Sequence, residues 1–462
     1  MQSKQSISIE IPVEDILTSA KYRLIEPTGS HDEVAINKAI NELNPAKSGG
    51  FGVGGTVYLL PGTYDISAPI ELAPNINLIG AGHTATVLNV SKKIDAIRMP
   101  LTDAADGSVT IKGFWLFGTT DFSVLPIYSS TISRAYDNVI VDNTLDFYDG
   151  ALSNTAVEIY TWDERAQVIP IVANSGAYIT LAYAPRVIPK AGTGYHIISN
   201  GIALYGNMGT HSFIDDVYMM RICGCGIVIG NASQTIISNC YIAGNRSDAI
   251  RISPRQYGTG GPNIVNCVLN GSYGSAIRND GDLFYMRVTN NMLFGSKVLS
   301  AAIKGYNLQR SIIANNVVPV AATITIDVTG TVYSCTPNSI TLVEAIPWKD
   351  YAYIGEVITV ENRCSRLITN SSRDADNRVV ITFEHEAMSN VKAGDKVVIH
   401  RWPRGGFILE GASKDNIISC NILQDDEPYN IEPIYLGSKT NNNKVLDNFA
   451  KVLNFSKTNV IR

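Results

Sequence analysis

Three cationic side chains occupy equivalent positions in successive short apolar segments of the chain. Arg278 follows Arg251 after 27 residues, and Lys304 follows Arg278 after 26. If these segments stack as neighbouring strands, the charges lie about 5 Å apart, and like charges so placed are destabilising without a partner. The partner is either a set of carboxylates, giving a structural ion network, or a bound anion. Because each positive neighbour disfavours another, Lys304 is also a candidate base with a lowered pKa.

Two acidic side chains, Asp280 and Glu410, occupy the last position of the same kind of segment. If the stack is unbroken between them, they lie two strands apart, roughly 9 to 10 Å between backbones. Inverting glycosidases need carboxyl groups about 6.5 to 9.5 Å apart, so this pair is a candidate for hydrolysis. Asp248 and Asp282 are alternative carboxylates at turn positions. The Asp280-Gly-Asp282 turn is also of a kind that binds Ca²⁺ weakly, and no other cofactor is expected.

Three tyrosines, Tyr205, Tyr306 and Tyr435, fall on the outward side of the same segments, in a chain with 22 tyrosines. A row of outward aromatic rings suits stacking on sugar rings, which would support either a substrate site or a non-catalytic glycan-binding surface. Ordinary sheet surface is the alternative interpretation. Tyr306 is in addition a candidate proton donor, because it follows Lys304 by two residues on the same side of a strand.

A sequence repeat of about 25 residues, ending in Ile/Val-x-Asn/Cys-Asn/Cys-x-Leu, recurs through the second half of the chain. It fixes the spacing of the cationic, acidic and tyrosine residues described above. Units of this length cannot bury an apolar face alone, which is typical of a solenoid. The repeated turn slot predicts ladders, with Asn291 over Asn316 and Cys240 over Cys267. The slot is filled in turn by Val217, Cys240, Cys267, Asn291, Asn316, Asn421 and Asn448.

Each unit opens with a four-residue alternation rich in β-branched residues, which indicates strands rather than helices. The absence of a regular leucine frame argues against a leucine-rich repeat. The sequence therefore predicts an all-β fold, a right-handed parallel β-helix, with the first and third residues of each strand inward and the second and fourth outward. The strands begin at Ile202, Ile227, Ile250, Ile277, Ile303, Phe407 and Ile434.

A cap is expected before the first coils. Ser30 to Glu33 has the spacing of a capping box, and apolar residues follow at helical spacing from Ile36 to Leu43. An amphipathic helix here would cover the open strand edges at the end of a β-helix.

The helix, the segment from Gly54 to Tyr64 and the turn Gly80-Ala-Gly82 together resemble the N-terminal part of the pectate-lyase-like superfamily of right-handed β-helix proteins. Leu60 stands where this family often has proline. The resemblance implies a carbohydrate substrate, since the superfamily includes polysaccharide lyases, glycoside hydrolases, epimerases and phage tailspikes. It does not choose among them.

Within this resemblance, the cationic row predicts a β-elimination lyase acting on a uronic-acid glycan. Lyases of the superfamily neutralise the C5 carboxylate with a cation and remove the C5 proton with Lys or Arg. Lys304 is then the base, Arg278 and Arg251 clamp the carboxylate, and Tyr306 protonates the leaving oxygen. Asp280 and Glu410 give the alternative of a glycoside hydrolase or a fructotransferase. Arg251, Tyr205, Tyr435 and Asp248 complete the expected substrate-binding set.

The cap helix and the succession of coils also look like the β-helical inulin fructotransferases. The paired Asp and Glu catalysts of that family should fall near Asn239 and Arg251, neither of which is acidic. A fructotransferase reaction therefore lacks its expected residues here.

Two gaps in the repeat predict insertions. The first is inferred from the 74 residues between Asn143, which is assigned to the same slot, and Val217. The second is inferred from the 105 residues between Asn316 and Asn421. Both stretches are predicted to be β-rich insertions that flank a binding surface. The expected organisation is an N-terminal arm at 1–29, helix cap and first coils at 30–154, insertions at 155–199 and 321–401, central coils at 200–320 and C-terminal coils at 402–462.

Composition limits the partners. A net charge of −5 gives no electrostatic footprint for nucleic acid, and no apolar run is long enough to span a membrane. The expected partner is a polysaccharide or oligosaccharide, and side-by-side packing as a homotrimer is considered because such solenoids often assemble that way. The start of the chain lacks the apolar stretch of a signal peptide. The compartment is open, although a glycan substrate suggests an extracellular or virion location.

Overall fold

The structure is a computed structural model. The residues that it describes are 22–43, 54–99, 107–118, 127–159, 166–208, 212–232, 234–255, 259–271, 274–294, 301–319, 328–343, 357–360, 364–383, 391–400, 406–423, 434–437, 439–448, 452–454, 456 and 458–462. They form a right-handed parallel β-helix with one helix and two β-rich insertions, which confirms the predicted fold class.

Each coil of the β-helix has three faces, numbered in chain order from the first face. The third face carries the four-residue segments singled out in the sequence. Inward residues such as Ile250 and Ile252 join one continuous apolar core, which confirms the predicted alternation. This face is a sheet of ten parallel strands. Its strands are Ile70–Glu71, Ile97–Met99, Ile202–Met208, Ile227–Ala232, Ile250–Ile252, Ile277–Asn279, Ile303–Tyr306, Phe407–Glu410, Ile434–Leu436 and Val452–Asn454.

The first and second faces belong to one sheet of 19 strands, because two long strands, Thr110–Gly118 and Phe213–Met220, run through the bend that separates the faces. The first face continues in Tyr22–Ile25, Thr56–Leu59, Asn77–Gly80, Ile236–Ser238, Asn263–Val265, Arg287–Thr289, Ile312–Ala314, Ile417–Ser419, Lys444–Leu446 and Val460–Ile461. The second face continues in Gly62–Ile66, Thr86–Val90, Tyr241–Ala243, Val268–Asn270, Met292–Phe294, Val317–Val318 and Ile422–Leu423.

The bend between these two faces is made by a residue whose backbone has a positive φ, in the left-handed region. Asn dominates the position because its short polar side chain tolerates positive φ better than most residues. The row is Asp216, Asn239, Asn266, Asn290, Asn315, Cys420 and Asp447, with φ between 51° and 59°.

The turn slot follows the left-handed residue and forms the predicted ladder. The Oδ1 of Asn316 accepts hydrogen bonds from the backbone N and the Nδ2 of Asn291, each at 3.0 Å. Asn316 in turn donates from its own N and Nδ2 to Oδ1 of Asn421, at 3.0 and 2.9 Å. Cys240 and Cys267 lie in the same slot on adjacent coils, where the amide after Cys267 donates to the carbonyl of Cys240.

The helix Asp32–Leu43 covers the first coils with Ile36, Ala39, Ile40 and Leu43 buried. The expected capping box is wrong in detail. The carboxylate of Asp32 accepts from the amides of Thr28 and Asp65, and Glu33 accepts from the amide and hydroxyl of Ser67. Both acids therefore tie the helix to the coils instead of closing its first turn.

The first insertion starts earlier than predicted. It is an antiparallel sheet of seven strands that begins at Tyr128, and Val139–Val141 belongs to it rather than to a coil, so Asn143 is not in the turn slot. Short β-branched alternation is the same in a coil and in a hairpin, so the sequence could not separate them. The strands are Tyr128–Thr131, Arg134–Tyr136, Val139–Val141, Ala156–Ile159, Gln167–Ser175, Tyr178–Leu181 and Gly194–Ile198.

The second insertion forms a closed barrel with its own apolar core. Its strands are Val328–Thr336, Ser339–Leu342, Val357–Val360, Cys364–Arg373, Val379–Phe383 and Lys396–His400. The remaining strands are three short ones that pair with each other within the coils, between the third face of one coil and the first face of the next. They are Thr259–Gly260, Leu283–Phe284 and Leu308–Gln309. Among the described residues, no helix has the length and apolar character needed to cross a membrane.

Candidate functional site

Arg251, Arg278 and Lys304 form a row on three neighbouring strands. Arg251 pairs with Arg278 and Arg278 with Lys304 in the parallel register of the third face, so the three side chains leave the sheet on the same side. The next strand places Ile408 beside Lys304 and Glu410 beside Tyr306, so the stack continues across the second insertion. Asp280 and Glu410 are therefore two strands apart, about 9.6 Å between backbones.

The row does not face an open groove, which corrects the sequence-based expectation. Arg251, Arg278 and Lys304 are 0%, 3% and 2% exposed. At one end of the row the first insertion packs over the third face. An apolar contact joins the insertion to the outward residues of the coils through Ala156, Val168, Ile198, Ala203, Tyr205, Cys225 and Val228.

Arg251 is the centre of a buried ion network. Its Nη1 lies 2.9 Å from Glu158 of the first insertion and 2.7 Å from Asp248, and its Nε contacts Asp280. Glu158 also accepts a hydrogen bond from Ser247 at 2.6 Å. Arg251 therefore fastens the insertion to the β-helix, as the structural-network interpretation expects.

Asp280 lies between two guanidinium groups. Burial opposes its ionisation, but the positive charges of Arg251 and Arg278 outweigh this and hold the pKa of Asp280 below its usual range. Arg278 donates to it from Nε at 2.9 Å. An Asp held ionised in this way has no proton to donate, and its lowered pKa also makes it a weaker base.

Lys304 has the opposite electrostatic setting. Burial, followed by the positive charge of Arg278, lowers the pKa of Lys304 well below its usual range. Tyr306, two residues further along the same strand, is partly exposed and lies beside Glu410. On the following coil Gly437 leaves space for Glu410, since a Cβ there would lie 2.5 Å from its Oε2.

Two of the expected sugar-stacking tyrosines are buried. Tyr205 donates its hydroxyl to Asp95 at 2.8 Å under the first insertion, and Tyr435 is also covered. Burial raises the pKa of Asp95 to about 6, although Asn200 and Tyr205 donate hydrogen bonds to it. The row of open tyrosines expected from the sequence is therefore reduced to Tyr306.

Glu158, Cys225 and Asp248 bring potential metal-ligand atoms within 4.8 Å of one another. Arg251 already lies against both carboxylates, and burial raises the pKa of the Cys225 thiol well above its usual value, which opposes a thiolate ligand. At the Asp280-Gly-Asp282 turn, Arg186 crosses Gly281 and donates to the carbonyl of Asp280 at 2.7 Å. Neither described group suits a cation.

Sequence reasoning missed Glu158, Arg186 and Asp95, which complete these contacts. They lie outside the repeat or within the insertion, so no periodic position marks them. The available signal was a charged residue inside a short apolar strand, as in Ala156-Val-Glu-Ile159. Such a residue requires a buried partner.

Residues 22–145 match the family model described as "Rhamnogalacturonase A/epimerase, pectate lyase-like". The fold is that of the pectate-lyase-like β-helix proteins. The matched stretch includes the cap helix and the first coils, and the match indicates a carbohydrate-active class of protein. No curated protein is a significant match to this chain.

Several solved structures are similar to this chain. DFA-IIIase from Arthrobacter chlorophenolicus A6 is 13% identical, with 93% of this chain and 76% of that chain covered and a TM-score of 0.46. The A-module of mannuronan C-5 epimerase AlgE4 from Azotobacter vinelandii is 12% identical, with 94% of this chain and 97% of that chain covered and a TM-score of 0.37. The ORF18 protein of Geobacillus virus E2 is 13% identical, with 95% of this chain and 63% of that chain covered and a TM-score of 0.38. None of these likenesses transfers an activity.

Proposed function

We propose that the protein cleaves a uronic-acid glycan by β-elimination at the Lys304 end of the cationic row. The observation that carries this proposal is a buried lysine beside a guanidinium, with a partly exposed tyrosine two residues away on the same strand. The family match over residues 22–145 supports a carbohydrate substrate. A polymeric glycan as substrate would place the protein outside the cell or on a virion.

The geometry suits the two proton transfers of an elimination. The neutral amine of Lys304 takes the proton from C5 of the uronate, the electron pair forms the C4–C5 double bond, and the C4–O bond breaks. Tyr306 gives its phenolic proton to the leaving oxygen. Arg278 faces the same space and stabilises the charge that develops on the carboxylate.

Arg251 takes a different role in this proposal from the one predicted. Three carboxylates already contact its Nη1 and Nε within the network under the insertion, so the carboxylate clamp is assigned to Arg278 alone. Asp248 likewise accepts from Arg251 and from the amide of Ser275 at 2.6 Å. Both residues position the first insertion.

A hydrolase that uses Asp280 and Glu410 is the second candidate. The two carboxylates lie two strands apart, which suits an inverting pair. In that reaction the ionised Asp280 would be the base and Glu410 the acid.

The test is incubation of the full chain with polyuronates and with short oligouronates, because Lys304 is 2% exposed and a short ligand reaches a covered side chain more readily. Absorbance of the unsaturated uronate product reports elimination. Reducing ends without that absorbance would favour hydrolysis. Binding on a glycan array with neither product would favour a tailspike-like glycan-binding protein.

Variants assign the roles. Lys304→Ala and the volume-conserving Lys304→Met should lower elimination by about 10²-fold to 10⁴-fold. The exposed Lys444→Ala is the matched control and should keep full activity. Full elimination activity in a folded Lys304→Met protein would overturn the proposal. If Glu410→Gln loses activity while Lys304→Met keeps it, the reaction is assigned to the carboxylates.

A further inference from the structure

The second face carries a straight apolar row on its outer surface. Register places one side chain per coil in this row, beginning on Thr110–Gly118 and ending on Ile422–Leu423. We call it the second-face stripe. It consists of Trp115, Tyr218, Tyr241, Val268, Met292, Val317 and Ile422.

The stripe is most accessible at two of its side chains. Met292 and Ile422 are 42% and 45% exposed, and the other five residues are partly buried. Contiguous exposed apolar surface of this kind marks a binding surface, whereas single exposed apolar residues need no explanation.

Polar groups border the stripe, and one lies against it: His83, which is 2.8 Å from Asp216, stacks on the ring of Tyr218 at 3.8 Å. On one side runs the row of left-handed bend residues, of which Asn239, Asn266, Asn290 and Asn315 are exposed. Near the other side, Arg221 lies over the ring of Phe117 at 5.1 Å. An uncharged centre rich in aromatic residues and Met, inside a polar border, is the composition of a protein interface.

The chemistry of the stripe selects the kind of partner. A glycan strand needs hydrogen-bond partners for its hydroxyl groups, and five of the seven stripe residues have no hydroxyl or charged group to offer. The Tyr218 and Tyr241 rings stack on each other at 5.4 Å, so the faces they turn toward each other are not open to a sugar. A protein surface with a matching apolar row satisfies the stripe better.

We infer that the second-face stripe is a self-association surface occupied by the same stripe of a second copy of this chain. Two rows that share one coil spacing can interdigitate along their whole length, and an isologous contact is complementary by symmetry. Six steps of about 4.8 Å give about 29 Å of length. With a width of about 15 Å, two copies would bury roughly 800 to 1,000 Å², at the lower limit for specific interfaces, so the association should depend on concentration.

The test is sedimentation velocity of the full chain over a wide range of concentrations. The wild-type protein should shift from monomer to a larger species as concentration rises. Met292→Lys combined with Ile422→Lys should weaken this association at least tenfold. Ile417→Lys, on the first face at a position 37% exposed, is the matched control and should associate like the wild type. Thermal unfolding of both variants should be close to that of the wild type.

A second readout needs no variant. Cys420, an exposed thiol in the bend row, lies two residues before Ile422, and Cys335 is an exposed thiol in the barrel. With excess maleimide, labelling of Cys420 relative to Cys335 should fall as the protein concentration rises. A monomer at every concentration, equal weakening by the control, or unchanged association of the double variant would each overturn the inference. So would uronan binding by the monomer that the double variant abolishes, because it would identify a glycan as the occupant.

Discussion

The third and second faces of the same β-helix place opposite kinds of side chain on their outer surfaces. On the third face the outward residues include Arg251, Arg278 and Lys304, and all three are buried. On the second face the outward residues include Met292 and Ile422, and both are exposed. The coil sets only the direction in which a side chain leaves the sheet. What packs on that face then decides whether the side chain meets solvent, and charges under a cover need complete partners.

The largest effect should come from removing the charge that joins the covered face to its insertion. Arg251→Met leaves Glu158 and Asp248 buried without their cation and leaves Asp280 with Arg278 alone, so the free energy of unfolding should fall by about 3 to 5 kcal/mol. Denaturant unfolding measures the change. The exposed Arg287→Met on the first face is the control and should change little. Equal effects of the two variants would mean that the network does not hold the insertion.

Asp95, also beneath the insertion, should make stability depend on pH. Its folded pKa of about 6 lies above the usual 3.8 because of burial, so the folded protein holds a proton in this window that the unfolded chain releases. This contribution therefore falls as pH rises from about 4 to 6, by roughly 3 kcal/mol. Asp95→Asn should remove that slope, measured as the difference between the two proteins in unfolding at each pH. A parallel pH dependence would contradict the assignment.

The ladder beside the uncovered face should be sensitive at its centre and tolerant at its end. Asn316→Ala removes four side-chain hydrogen bonds and leaves buried partners on two neighbouring coils, so it should cost about 2 to 3 kcal/mol. Asn448→Ala, at the partly exposed last position, should cost less. The melting temperatures of the two variants test this order, and a larger loss at Asn448 would reverse it.

The smallest effect should be on the stability of the uncovered face itself. Met292→Lys replaces a side chain that is 42% exposed, so the free energy of unfolding of the monomer should change by no more than about 0.5 kcal/mol, as for ordinary surface substitutions. The measurement should be made at low concentration, where association does not contribute. A large loss would place Met292 in the core and remove the contrast between the two faces.

Much of the fold was predictable because stacking converts spacing into contact. The recurrence of Asn291, Asn316 and Asn421 gave the register of the ladder, and the alternation around Arg251, Arg278 and Lys304 gave the direction of the row. Burial of that row was not predictable, because it depends on how the insertion folds back. Glu158 and Asp95 meet their partners across more than 90 residues of chain, and no local pattern encodes such a contact.

The register across the second insertion has a consequence for engineering. Asn316 and Asn421 are 105 residues apart in sequence yet hydrogen-bond as immediate neighbours, at 3.0 Å. The barrel thus lies in sequence between Val317–Val318 and Phe407–Glu410 without breaking the stacking of the coils before and after it. A short linker, or a foreign domain with adjacent termini, should be exchangeable for it while the coils above and below keep their alignment.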